Sequence, residues 1–254
     1  MSLRLKLLVL GQLLVAAVLA TASAATAAEI KVIAANALKD GYAELVSAFE
    51  KSSGHKIVTT WSGTVNAAKR VNDGEVYDLV IIGSDSIDHL IKTGKLSADS
   101  RADFAKTGVA IAVRAGLPKP NISTADEVKA AVVAANSVAY SAGPSGAYVA
   151  DLLKRMGVAD QIASKVKQPS SGAEVAALVA RGEADLAFAQ VSEFLNAPGL
   201  VNLGPLPASI QNYTIYAAGL HASSPSPDAA KALVKHLKAP EAATAIRKMG
   251  MEPG

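Results

Sequence analysis

The chain has 254 residues, half of them hydrophobic but only 4% aromatic, with 25 Lys and Arg against 22 Asp and Glu and no cysteine. Such a composition implies a core of Ala, Val, Leu and Ile, as alanine-rich helices packed on valine and isoleucine strands would give. It excludes disulfides, cysteine-ligated zinc and thiol catalysis. The near balance of charges, alternating in sign along the helical segments, argues against a nucleic-acid partner.

Arg4 and Lys6 form a basic start, Leu7 to Leu19 is apolar, and Ala22 to Ala28 is a tract of small residues. Residues 1–28 therefore read as a secretory signal peptide cleaved near residues 24–28, which places the mature protein in the periplasm. The apolar run is shorter than the roughly 20 residues a membrane-spanning helix needs. What remains suits one large domain or two small ones.

Glu29 to Ala35 is a short β-rich run ending at Asn36. Leu38 to Lys51 then spaces Leu38, Tyr42, Leu45, Val46 and Phe49 as one face of an amphipathic helix, with Gly54 as its terminator. Lys56 to Trp61 is the next strand and Asn66 to Asn72 the next helix. Tyr77 to Gly83 is almost wholly apolar, as a central strand covered on both faces would be. This alternation predicts a parallel sheet with right-handed crossovers.

The middle of the chain repeats the scheme. Helices are predicted over Thr124 to Ala135, Tyr148 to Met156 and Ala173 to Arg181, with strands over Ser137 to Ser141, Val166 to Gln168 and Ala184 to Gln190. Two long β-type runs, Gly108 to Arg114 and Asn212 to Leu220, bracket this second unit. The helices Pro227 to Leu237 and Pro240 to Met249 then return to the first. The reading is an α/β protein of two lobes: residues 29–113 with 212–254, and residues 114–211 inserted between them, with two strands crossing.

The stretches WSGTVNAAKRVNDGEVYDLVIIGS, GPSGAYVADLL, ARGEADLAFAQVSE and APEAATAIRKMGM, in this order across the whole mature chain, resemble periplasmic solute-binding proteins of the molybdate-binding type. The resemblance implies a type II periplasmic binding fold, two α/β lobes on a two-strand hinge that close on a ligand. It also implies a small anionic ligand, a membrane ABC permease as partner, a monomer, and no metal or cofactor. Carried over residue by residue, the ligand contacts fall on Asn36, Thr64, Ser145 with Gly146, Gly172 and Gln190. Independent physics agrees, since helix starts expose N–H donors and a positive dipole end, and open α/β sheets bind ligands at the carboxyl ends of their strands.

Thr64 and Ser145 also suit ordinary helix N-caps, and a cap and an anion site share one geometry. Asn36 and Gln190 stand where the resemblance implies a serine and a tyrosine. Each brings an acceptor as well as donors, so a ligand with its own hydroxyl, or an organic carboxylate, suits them better than molybdate. Ser53-Gly54-His55-Lys56 and Lys92-Thr93-Gly94 match two motifs of penicillin-recognising enzymes, but the third element is absent and the matches read as chance. The four histidines have no metal-ligand spacing. Two functions follow: capture of a small anion for an ABC transporter, or an aconitate isomerase moving an allylic proton. The isomerase would need a general base, for which Lys39 is the candidate from its place in the first loop.

Overall fold

The computed structural model describes residues 27–254, so nearly all of the expected signal segment lies outside the described residues. Among these residues ten strands form one curled sheet. Their ranges are β1 Glu29–Ala35, β2 Lys56–Ser62, β3 Leu79–Gly83, β4 Ala102–Arg114, β5 Val138–Tyr140, β6 Val166–Lys167, β7 Leu186–Gln190, β8 Leu200–Pro205, β9 Tyr213–Leu220 and β10 Glu252–Pro253. The order is β2-β1-β3-β9-β4-β7-β5-β6, with β8 and β10 each paired to β4. β1 runs parallel to β2 and β3, and β5 runs parallel to β6 and β7. β9 and β4, antiparallel to each other and to their outer neighbours, join the two parallel halves.

Thirteen-residue β4 is the crossing strand. Its first part pairs with β9 as far as Gly108, and from Val109 onward it pairs with β7. The buried apolar residues divide at the same place. One cluster runs from Ile30 to Ala105 and resumes from Tyr216 to Met251, and the others lie between Val109 and Leu206. The returning chain is also held by a buried polar anchor, in which Asp78 accepts from the Lys31 N–H (2.8 Å), the Ser224 hydroxyl (2.6 Å) and the Ser226 N–H (3.0 Å).

The helices are α1 Lys39–Ser53, α2 Thr64–Asn72, α3 Ser84–Lys92, α4 Ala125–Ala134, α5 Pro144–Arg155, α6 Ala159–Ile162, α7 Gly172–Ala180, α8 Val191–Phe194, α9 Pro227–Leu237 and α10 Ala243–Lys248. None among the described residues is long and apolar enough to cross a membrane. Several starts differ from the periodicity. A single 3-10 turn, Asn36–Leu38, precedes α1, and α2 begins two residues before Asn66. α5 begins at Pro144, whose fixed backbone suits a first helical position. Apolar spacing reports where a helix meets the core, and these first turns face a cleft instead.

The lobes touch across that cleft. A β-carbon built on Gly63 would lie 3.1 Å from the Ser170 carbonyl oxygen, and one on Gly83 would lie 3.2 Å from Cγ of Pro144. Glycine at both positions permits this approach.

Candidate functional site

Five of the six ligand residues expected from the sequence, Asn36, Thr64, Ser145, Gly172 and Gln190, line one narrow cavity between the lobes, of about 20 Å³. Gly146 is not on its wall. It packs behind, where a β-carbon would meet the Ser141 carbonyl oxygen at 1.6 Å, so it lets α5 sit down on the loop from β5. Lys39 is exposed at the start of α1 and does not line the cavity. Past Thr64, Gly143 and Pro144 the cleft widens into an outer space of about 400 Å³.

The wall is made of helix starts. Asn36 follows β1 and opens the 3-10 turn, Thr64 follows β2 as the first residue of α2, and Ser145 is the second residue of α5. Neither Thr64 nor Ser145 is the N-cap, a place taken by Gly63 and Gly143. No side chain caps any of these three starts. Their first N–H groups therefore lack the intrahelical partners they need, and they stand around one space. The Thr64 hydroxyl accepts from the Gly83 N–H (3.3 Å) and the Ser141 hydroxyl from the Gly143 N–H (3.2 Å). Each hydroxyl keeps its own hydrogen to donate.

The fourth start, α7, is different. Ser171 is its N-cap, accepting from the Glu174 N–H (3.3 Å). The carboxyl of Glu193 sits against its first turn, so close that a β-carbon on Gly172 would lie 1.8 Å from Glu193 Oε2. Glu193 accepts from the N–H groups of Gln190 (3.2 Å) and Ala173, and burial pushes its carboxyl up to about 7. Tyr216 of β9 also reaches the cavity. Its phenol is held far above the usual range, by burial first and by the neighbouring Glu193 second.

Gln190 turns toward the hinge strands. With both ends of its amide satisfied, the oxygen accepts from the Thr214 hydroxyl (2.6 Å), and the nitrogen donates to the carbonyls of Thr107 (3.2 Å) and Gly108 (3.1 Å). Its polar groups are thus engaged by β4 and β9, which leaves the Asn36 amide and the Glu193 carboxyl as acceptors on the cavity wall. Among the residues lining the cavity, Glu193 is the only carboxyl, and there is no Lys, Arg or His.

Sequence reasoning missed Glu193, Tyr216, Ser141 and Ser171. A signal existed for Glu193. Gln190-x-x-Glu193 is a capping-box pattern directly after an apolar strand, at the sheet end that carries the other site loops. Tyr216 gave none, because it sits inside a strand that reads as ordinary core.

The arrangement is a donor-rich, cation-free pocket holding one acid, suited to an anion with several acceptor oxygens. A model of the bacterial extracellular solute-binding protein family matches residues 30–252. An aconitate isomerase of Pseudomonas sp. is 34% identical over 98% of this chain and 97% of its own length. The solved periplasmic molybdate-binding protein of Azotobacter vinelandii superposes with a TM-score of 0.74 at 20% identity, covering 87% of this chain and 98% of that one. The sulfate-binding protein SubI of Mycobacterium tuberculosis H37Rv gives 0.74 at 21% identity, over 89% of this chain and 87% of that one. The two-lobe type II periplasmic binding fold is common to them.

Proposed function

The chain belongs to the bacterial extracellular solute-binding protein family, and we propose that it is an exported protein that closes on a small organic polycarboxylate between its lobes for delivery to an ABC permease. The observation that carries this reading is the convergence of three uncapped helix starts, from both lobes, on one cavity. Fixed N–H donors supply attraction for an anion without any charged side chain. Export follows from residues 1–28, with a mature start near residues 24–28. The first and last parts of the chain, up to about residue 113 and from about residue 212, make one lobe and the part between them the other, with the crossing strand β4 contributing to both.

Molybdate is a poor fit in this reading. A fully deprotonated tetrahedral dianion accepts hydrogen bonds only, so it has no donor for the Asn36 amide oxygen or for an ionised Glu193 carboxyl. A carboxylic acid or hydroxyl can share a proton with that same group.

A second reading, an aconitate isomerase, is favoured by the full-length likeness to the Pseudomonas enzyme and by the presence of an acid in the cavity. It keeps the same ligand class and adds a proton shift within it.

A thermal-shift panel of molybdate, sulfate, citrate, cis-aconitate and trans-aconitate tests the ligand class. A ligand at 100 times its dissociation constant should stabilise by about 2.7 kcal/mol. Stabilisation by polycarboxylates above both oxyanions is the expected result, and the reverse order would refute the reading. Absorbance-monitored interconversion of the two aconitates separates capture from catalysis.

A further inference from the structure

We propose that Glu193 carries the exchangeable proton of this cavity, passing it to and from the bound polycarboxylate. The inference rests on the reading that the cavity holds such an anion.

Among the described residues Glu193 is an acid with no cation on the wall to neutralise it. The carboxyl lines the cavity and accepts from the backbone N–H groups of Gln190 and Ala173. No cationic side chain shares the wall. It cannot withdraw toward α7, because the Gly172 backbone already fills that side. From β9, Tyr216 is the one titratable side chain that acts on it among the described residues, and that phenol stays neutral at ordinary pH. The 3-10 turn at Asn36, α7 and the hinge part of β4 bring no charged group to the wall. Burial already holds the carboxyl near the midpoint of its titration at neutral pH.

An anion arriving beside such a group has two outcomes. It is repelled by a carboxylate, or it draws a proton onto it. The second is favourable, since like charges in a poorly hydrated space raise each other's proton affinity. Anion binding should therefore take up a proton. In the isomerase reading the carboxylate removes an allylic hydrogen of aconitate as a proton. The C–H electron pair becomes the new C=C bond, and the former π pair takes the proton back from Glu193 at the other end of the allylic unit. Nothing is oxidised or reduced, and a single acid near its midpoint serves both directions.

Glu193 also closes the capping box at the start of α8, so a merely structural role must be separated from proton exchange. E193Q does this, because an amide oxygen still accepts from the same N–H groups but holds no exchangeable acid proton. Calorimetry with trans-aconitate at pH 7 and 8, in two buffers of different ionisation enthalpy, should show the wild type taking up as much as one proton per anion. Its affinity should fall by up to tenfold per pH unit above 7, relative to an E193Q profile without that component. The ligand's own titration is common to both proteins and cancels in the comparison.

A wild type that binds without proton uptake, or an E193Q protein that keeps the uptake, would overturn the proposal. A wild type that binds no polycarboxylate would overturn the ligand reading and this inference with it. In an aconitate assay the loss with E193Q should be at least about 100-fold. If E193Q does not fold, carbon-13 spectra of glutamate-labelled wild type decide the matter. A carboxyl titrating near pH 7 and moving upward with trans-aconitate supports the proposal, and its absence refutes it.

Discussion

Glu193 and Gln190, both on the cavity wall, stand three apart and do opposite things. Gln190 spends both ends of its amide on the hinge strands, while Glu193 keeps at the cavity a carboxyl that accepts from backbone N–H groups. Holding that carboxyl away from water has a consequence for stability even without ligand. An unfolded glutamate loses its proton near pH 4.5, but in the folded protein the proton stays until about pH 7. Between those values the folded state binds more protons, so this residue's contribution is full below pH 4.5 and is lost as pH rises through 7. The loss amounts to about 3 kcal/mol. E193Q removes the titration, so its stability relative to the wild type should rise by that order between pH 4.5 and pH 8. Urea unfolding of both proteins across this range measures it. Parallel pH profiles would mean that the carboxyl is wetter than its surroundings imply.

At the scale of elements, the helix starts line the cavity, and they are where sequence legibility ends. The strands β1 and β3 and the helix α9 follow from alternation, apolar runs and spacing, because each presents a face to the core that the sequence records. The first turns at Asn36, Thr64 and Ser145 present themselves to a cleft, so apolar periodicity places the helices late. The resemblance names those residues, and the structure brings them to one cavity. Glu193 escaped because a four-residue helix has too few turns to show a period, and Tyr216 because a buried tyrosine in a strand looks like packing.

The α5 start yields a test of its own. Ser145 is 3% exposed, second in the helix, and faces the cavity. An aspartate there is compatible with the positive end of the helix dipole, but it adds a carboxylate to a cavity wall that already holds Glu193. Ser145→Asp should keep the circular dichroism spectrum while ligand-induced stabilisation falls by at least about tenfold in affinity. Ser145→Ala should lose much less. Equal binding by the aspartate variant would mean that α5 does not touch the anion.

At the scale of the whole molecule, capture depends on how closely two separately packed lobes can approach. The apolar clusters do not need the seam, since one is built from the first and last segments and the others from the middle of the chain. The seam instead runs through Gly63 against Ser170 and Ser171, and through Gly83 against Pro144. Gly63 has φ −69° and ψ 148°, a backbone conformation that side chains adopt freely, so its substitution acts through space alone. A valine there would press on the backbone of Ser170 and hold the lobes apart, while each core stays intact. Gly63→Val should therefore unfold within about 1 kcal/mol of the wild type in the absence of ligand, yet bind trans-aconitate at least tenfold more weakly. Gly83→Ala wedges the second contact with a residue outside the cavity wall, and should weaken binding in the same direction. Small-angle scattering provides the decisive reading. The wild type should contract when the anion is added, as hinge closure requires, and Gly63→Val should not. Contraction of the variant to the wild-type dimensions, with unchanged affinity, would show that closure does not pass through this seam.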